Sequence, residues 1–131
     1  MKIEEIKHPE LKNHIQMIYM HGENRNREAI EKTENEIREY IRDKYFIISV
    51  EDKKPVKIPY ANDGQYLVPM FTDEHEYTMG MQYFSFNVMD ENKEYVIEKL
   101  DYFKNLKEDP NFLGYIVNIA RVSYIINITL L

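Results

Sequence analysis

The sequence predicts an α+β fold, a single domain in which helices pack on a mixed or antiparallel sheet. Two observations lead there. Apolar residues recur at helical spacing through the first third of the chain, whereas short apolar or alternating runs broken by turn residues fill most of the rest. A third observation is size: the chain has 131 residues, enough to bury about two thirds of its surface in one core without disulfides or a structural metal. The expected order is α-α-β-β-β-α-β-α-β-β over a single domain spanning residues 1–131. No internal repeat, low-complexity segment or linker divides it.

The elements follow in order. From about Pro9 to Met20, Leu11, Ile15 and Ile18 lie four and three apart, the spacing of a short amphipathic helix. Gly22-Glu23-Asn24 is expected to break it, so residues 1–22 read as an N-terminal helical extension. A longer helix is expected from about Arg25 to Lys44, with Ile30, Ile37, Tyr40 and Ile41 as its apolar stripe. Tyr45 to Val50 is a compact apolar run and reads as a buried strand. Val56-Lys57-Ile58 alternates, Ala61-Asn62-Asp63-Gly64 signals a turn, and Tyr66 to Phe71 is the return strand of a hairpin. Pro69 cannot donate to a ladder and suggests an edge position or a strand end. Thr72-Asp73-Glu74-His75-Glu76 opens a short helix, with Thr72 or Asp73 as its cap. Met81 to Val88 alternates and is expected to be a strand. Asp90 to about Lys107 is expected to be a helix, with Val96, Leu100, Phe103 and Leu106 on one face. Two final strands are expected at about Leu113–Ala120 and Ser123–Leu130.

Composition excludes several functions. There is no cysteine, so thiol nucleophiles, disulfides, iron–sulfur clusters and cysteine-ligated zinc are ruled out by inventory. Net charge is −6, and no basic face is available to neutralise phosphates, so nucleic acid is not an expected partner. Anionic membrane surfaces are disfavoured for the same reason. The N-terminus reaches charge at once and has no apolar signal region, which favours a cytoplasmic location. Phe112 to Leu131 is long and mostly apolar, but Arg121 near its centre would cost about 2.5–3.5 kcal/mol in a bilayer. Its many β-branched residues fit two strands turning near Arg121 better.

The groups that could carry chemistry are few. Asp73, Glu74, His75 and Glu76 could act as acid and base or hold a hard cation, but a helix start explains the same residues. His14 and His21, with Glu10, could approach a metal, but no metal-binding spacing accompanies them. The four glycines are too scattered for a phosphate loop, and no serine sits in a nucleophile elbow. No cofactor is expected. Eleven tyrosines suit a protein interface, although a chain rich in Ile, Asn and Lys carries tyrosine by composition alone.

The stretch Gly64-Gln65-Tyr66-Leu67-Val68-Pro69-Met70-Phe71-Thr72-Asp73-Glu74 resembles the signature of the SseB N-terminal domain family, a hydrophobic strand followed by Pro-x-Phe-Thr-Ser/Asp-Glu opening a short helix. Ile116-Val117-Asn118-Ile119 stands where the family shows a hydrophobic–Asn–Pro strand end, with Ile119 in place of the proline. The resemblance spans residues 25–131. It implies a bacterial protein and a binding or regulatory module, and it brings no established active site. Pro69, Phe71, Thr72 and Asp73 are the candidate binding residues in the motif. The functional expectation is a non-catalytic module with an unknown protein partner, self-associating through an apolar C-terminal strand if that strand lies at an edge. The alternatives are a small hydrolase or metal-assisted enzyme using His75 and its neighbouring acids, and a small-ligand sensor.

Overall fold

The computed structural model describes residues 1–87 and 94–131. It is an α+β fold with a mixed sheet. A 3-10 turn at Ile3–Glu5 leads into helix α1, Pro9–Glu23, with the proline in its first turn, where a missing N–H costs nothing. Helix α2, Arg27–Ile41, is capped by Asn26, whose side chain accepts from the Ala29 amide at 3.1 Å. Gly22 does not stop α1. The chain reverses after Glu23, with Arg25 in the left-handed region at φ 53°.

The strands are β1 (Phe46–Glu51), β2 (Lys54–Pro55), β3 (Ile58–Pro59), β4 (Tyr66–Phe71), β5 (Glu94–Glu98), β6 (Phe112–Val117) and β7 (Tyr124–Asn127). β5 pairs antiparallel along β1, and β1 meets β4 antiparallel at Ile47↔Phe71 and Ile48↔Met70. β4 and β6 run parallel, and β7 closes the sheet antiparallel to β6. The short strands β2 and β3 pair with β1 and β4 respectively. Pro69 is therefore in the middle of the sheet and not at an edge. Its pairing with β1 is not needed, because β1 and β4 part company beyond Ile48↔Met70, and the Ser49 carbonyl accepts from Val56 instead. A residue with no N–H fits that gap.

Alternation along the strands sends side chains to two faces. On one face Phe46, Ile48, Val68, Met70, Tyr115, Val117 and Ile126 join Leu11 and Ile15 of α1 and Ile37 and Ile41 of α2 in the main core. On the other, Ile47, Leu67, Phe71 and Ile116 pack with Ile6, and with Tyr77 and Met81 of α3, Glu74–Asn87. The first helix thus shares its buried residues with the main core.

Two expected elements differ. The strand placed at Met81–Val88 is, through Asn87, the continuation of α3; Val88 lies outside the described residues. The alternation of apolar residues suggested a strand, but the helix is started by a cap at Asp73 and continues because Tyr77 and Met81, four apart, reach the same sheet face. The helix expected over Asp90–Lys107 also fails to form over its described part. Glu94–Glu98 is strand β5, with Val96 opposite Ile48, while residues 90–93 lie outside the described residues. After β5 the chain makes a series of turns: Tyr102 N donates to Lys99 O, Leu106 N to Phe103 O, Glu108 N to Asn105 O and Asp109 N to Leu106 O. Bonds closing over three residues bring Leu100, Phe103 and Leu106 to the core at near-helical intervals without a helix. Two tyrosines pin this segment: Tyr115 OH donates to Leu100 O at 2.7 Å, and Tyr66 OH to Asp109 Oδ2 at 2.6 Å. The last expected strand stops at Asn127 and gives way to a 3-10 turn, Ile128–Leu130, whose start Asn127 caps by accepting from the Thr129 amide at 3.0 Å.

Among the described residues no helix is long and apolar enough to cross a membrane. The apolar C-terminal stretch is instead β6, a turn and β7.

The pairing of β4 with β6 shifts register between Tyr66 and Leu67, so that Leu113 is passed over and Gly114 stands opposite Leu67. Gly114 has φ +143°, and a Cβ there would lie 2.1 Å from the Ile126 carbonyl oxygen of β7. Backbone is on the receiving side, so it cannot swing away. Gly114→Ala is expected to cost about 2–4 kcal/mol in denaturant unfolding, a loss much larger than that of Gly22→Ala, where nothing lies within 4 Å.

Candidate functional site

The two strands that run parallel, β4 and β6, end side by side, and α3 leaves from the end of β4. Open α/β sheets place ligands at such carboxyl ends, next to a helix N-terminus. Here the position is occupied by a hydrogen-bonded network of the protein's own groups. Thr72 follows β4 and is fully buried. Its amide donates to Asn118 Oδ1 at 3.1 Å, and Asn118 Nδ2 donates back to Thr72 Oγ1 at 3.0 Å. The Thr72 hydroxyl in turn donates to Asp73 Oδ2 at 3.0 Å. Asp73 Oδ1 accepts from the Glu76 amide at 2.9 Å, which makes Asp73 the cap of α3. Thr72 instead links the cap to Asn118.

Asn118 follows β6 in the left-handed region, φ 53°, a conformation asparagine tolerates better than most residues. Its amide donates to Met70 O, and its carbonyl accepts from the amides of Arg121, Val122 and Ser123. One residue therefore ties β4 to β6 and also closes the turn into β7.

Pro69 and Phe71 of the motif are buried in the sheet and are not available to a ligand. Phe71 packs edge-on against Tyr77, 5.4 Å between centroids, and lies against Gly80 of α3. Asp73 alone of the four candidate residues is partly exposed, at 21% of its side chain. Burial raises its pKa, but the Glu76 amide, the Thr72 hydroxyl and Lys12 together outweigh burial, so the carboxyl titrates below its ordinary range.

Two groups that residue type and spacing along the chain did not reveal, Lys12 and Arg121, stand out here around Glu76, a member of the acidic cluster. Glu76 is 0% exposed although it lies in the acidic opening of α3. Its Oε1 is 3.2 Å from Arg121 Nε of the β6–β7 turn and 3.7 Å from Lys12 Nζ of α1. Neither of its oxygens makes a hydrogen bond of good geometry, so the attachment is by charge alone. Arg121 also reaches His75, Nη1 to Nε2 at 3.4 Å, and Lys12 reaches Asp73 at 3.4 Å. Charges from three segments thus cancel around the start of α3. Nothing in the local pattern marks Lys12 and Arg121 as partners of Glu76, because they come from α1 and the β6–β7 turn.

A groove of about 510 Å³ runs beside this network, between the start of α1 and the start of α3, lined by Ile6, His8, Pro9, Lys12, Asp73 and His75. His8 is buried there, with Nε2 2.6 Å from Tyr45 O and Nδ1 2.7 Å from Tyr40 OH. A carbonyl oxygen can only accept, so Nε2 carries the proton and Nδ1 accepts from the tyrosine. That is the arrangement of the neutral ring, which desolvation, the largest influence, favours by lowering the pKa from 6.5. His14 and His21 also line one groove, between α1 and α2, and His14 Nδ1 is 3.3 Å from Glu36 Oε2. Among the described residues no group of three or more His, Asp or Glu side chains is placed to hold a metal ion.

No protein-family model, no curated protein and no solved structure matches the chain.

Two predictions follow from these bonds. Asn118→Ala removes both bonds between Asn118 and Thr72 and leaves the buried Thr72 amide without an acceptor. It is expected to cost about 2–4 kcal/mol, and chemical denaturation against wild type measures it. Protonating His8 would abolish the acceptor that holds Tyr40, and its lowered pKa means the unfolded chain binds that proton more readily. Stability contributed by His8 is therefore complete above about pH 6.5 and is lost as pH falls below it toward the lower folded value, at no more than about 1.4 kcal/mol per pH unit. In His8→Asn that part of the pH dependence should vanish, as read by thermal unfolding between pH 7 and pH 5.

Proposed function

We propose that this domain is a non-catalytic protein-interaction or regulatory module that receives a partner strand at the β7 edge, with a second copy of the chain as its first partner. The observation that carries this reading is the difference between the two outer strands. β5 bears Glu94 and Glu98 at its ends, so an antiparallel copy would face like charges, a common way of protecting an edge. β7, Tyr124-Ile125-Ile126-Asn127, carries no charge. Among the described residues it pairs only with β6. Ile125 is half-buried on the face opposite the two N-terminal helices. On the helix side, Tyr19 of α1 is 46% exposed; its hydroxyl donates to Val122 O, and its ring lies edge-on to Tyr124. An exposed tyrosine beside an unprotected strand end is a surface suited to a partner.

The resemblance of residues 64–74 to the SseB N-terminal domain family supports a binding role in the same sense. The alternative, a small hydrolase built on His75 and its neighbouring acids, draws on the groove beside α3. Its groups are already committed: Asp73 caps the helix, Glu76 is held between two cations, and His75 meets Arg121. These engagements favour the interaction reading.

If the reading holds, wild-type protein sediments as a concentration-dependent dimer. Ile125→Lys, which sets a charge in the edge, shifts it to monomer while the thermal midpoint changes by only a few degrees. Tyr95→Lys on β5 leaves the dimer intact. A wild-type protein that stays monomeric at every concentration, or a dimer insensitive to Ile125→Lys, overturns the assignment.

A further inference from the structure

We infer that residues 3–10 form a strap over the second sheet face that mild acid releases, with protonation of His8 as the trigger. Within residues 1–10 only Ile6 and His8 are buried, so two side chains hold the whole segment down. Ile6, with Ile3 beside it, packs in the cluster of Ile47, Leu67, Phe71 and Ile116. His8 is the other peg, bound to Tyr40 of α2 and to the Tyr45 carbonyl. From Leu11 onward α1 belongs to the main core, where Leu11 and Ile15 are both buried. The boundary between the strap and the anchored helix therefore falls between Glu10 and Leu11.

A charge on the His8 ring would find little to neutralise it. Both ring partners are uncharged, a phenol and a carbonyl, and the Phe46 ring lies 4.3 Å away between centroids. The charged groups around it balance. Glu4 and Lys7 of its own segment, Lys12 of α1, and Asp73, Glu74 and His75 at the start of α3 share its groove, and Lys44 approaches from before β1. Three carboxylates thus face three lysines. A buried imidazolium in that setting is costly, whereas release of the strap lets it hydrate. Desolvation accordingly holds the His8 pKa below its ordinary value, with the Tyr45 bond and Asp73 opposing and Lys44 reinforcing it. Release grows as pH falls below about 6.5, by no more than about tenfold per pH unit, because a single proton is taken up. His14 responds in the opposite sense. Its ring lies 3.3 Å from Glu36 Oε2 and 3.9 Å from Glu10 Oε1, so a proton there strengthens the hold of α2 on α1. The middle of α1 stays docked while the segment before it departs.

NMR of the full chain between pH 7 and pH 5 tests this, through the isoleucine methyl and histidine ring signals. The Ile6 methyl signals are expected to move to their unstructured positions in step with the titration of His8. Those of Ile48 and Ile126, in the main core, are expected to stay in place. His8→Gln keeps a donor for the Tyr45 carbonyl but takes up no proton, and should abolish the Ile6 transition. His8→Lys carries its charge already at pH 7 and should show the released Ile6 signal there, with the core signals unmoved. An Ile6 signal indifferent to pH, a transition shared equally by Ile48 and Ile126, a transition that persists in His8→Gln, or an Ile6 still docked in His8→Lys would each overturn the inference.

Discussion

The reciprocal pair between Thr72 and Asn118 is the interaction on which the rest of the structure depends. A parallel pair of strands cannot be joined by a tight turn, so β4 and β6 must be brought together by a connection of forty residues. Their ends are then fixed by two hydrogen bonds in a buried setting, where an unmade bond is costly and a made one is strong. From Asn118 the chain turns into β7, and from Thr72 it passes through Asp73 into α3. The same few atoms therefore set the register of the sheet's centre, the direction of the last strand and the origin of the helix that covers the second face.

Charge is arranged to protect this junction. Glu76 is wholly withdrawn from solvent, and a bare carboxylate there would be severely penalised. Lys12 and Arg121, from elements far apart in the chain, lie close to it. The arrangement links α1, α3 and the β6–β7 turn through one carboxylate, with the cations still partly in water. A buried ion pair is weak evidence for stability; its stronger effect here is to make the approach of α1 to the second sheet face depend on one position. His8, one turn before Lys12, makes a second attachment, joining the start of α1 to Tyr40 of α2 and to the backbone just before β1.

These commitments direct attention away from the strand ends and toward the periphery. Groups that look reactive in a list of residues are held in place by each other. Under the proposed reading, the surface that would meet a partner is the uncharged edge of β7 with Tyr19 beside it.

The sequence by itself determined the fold class, the first two helices, the buried strands at about 45–50 and 66–71 and the turn near Arg121, because these follow from local periodicity and turn chemistry. It also narrowed the cap of the next helix to Thr72 or Asp73, since the chemistry of a cap is contained within four residues; the structure assigns it to Asp73. Between Met81 and Lys107 local pattern misled. Apolar residues at alternate positions fit a helix once Asp73 starts it, and residues spaced by three or four can lie on successive turns as well as on a helix. Only tertiary structure decided those segments, through the pairing of Glu94–Glu98 with β1 and the packing of Tyr77 and Met81 on the sheet. It alone placed Pro69 in a central strand, buried Glu76, and joined Asn118 to Thr72. Such contacts depend on which distant segments the sheet brings together, and that information is not present at any one position along the chain.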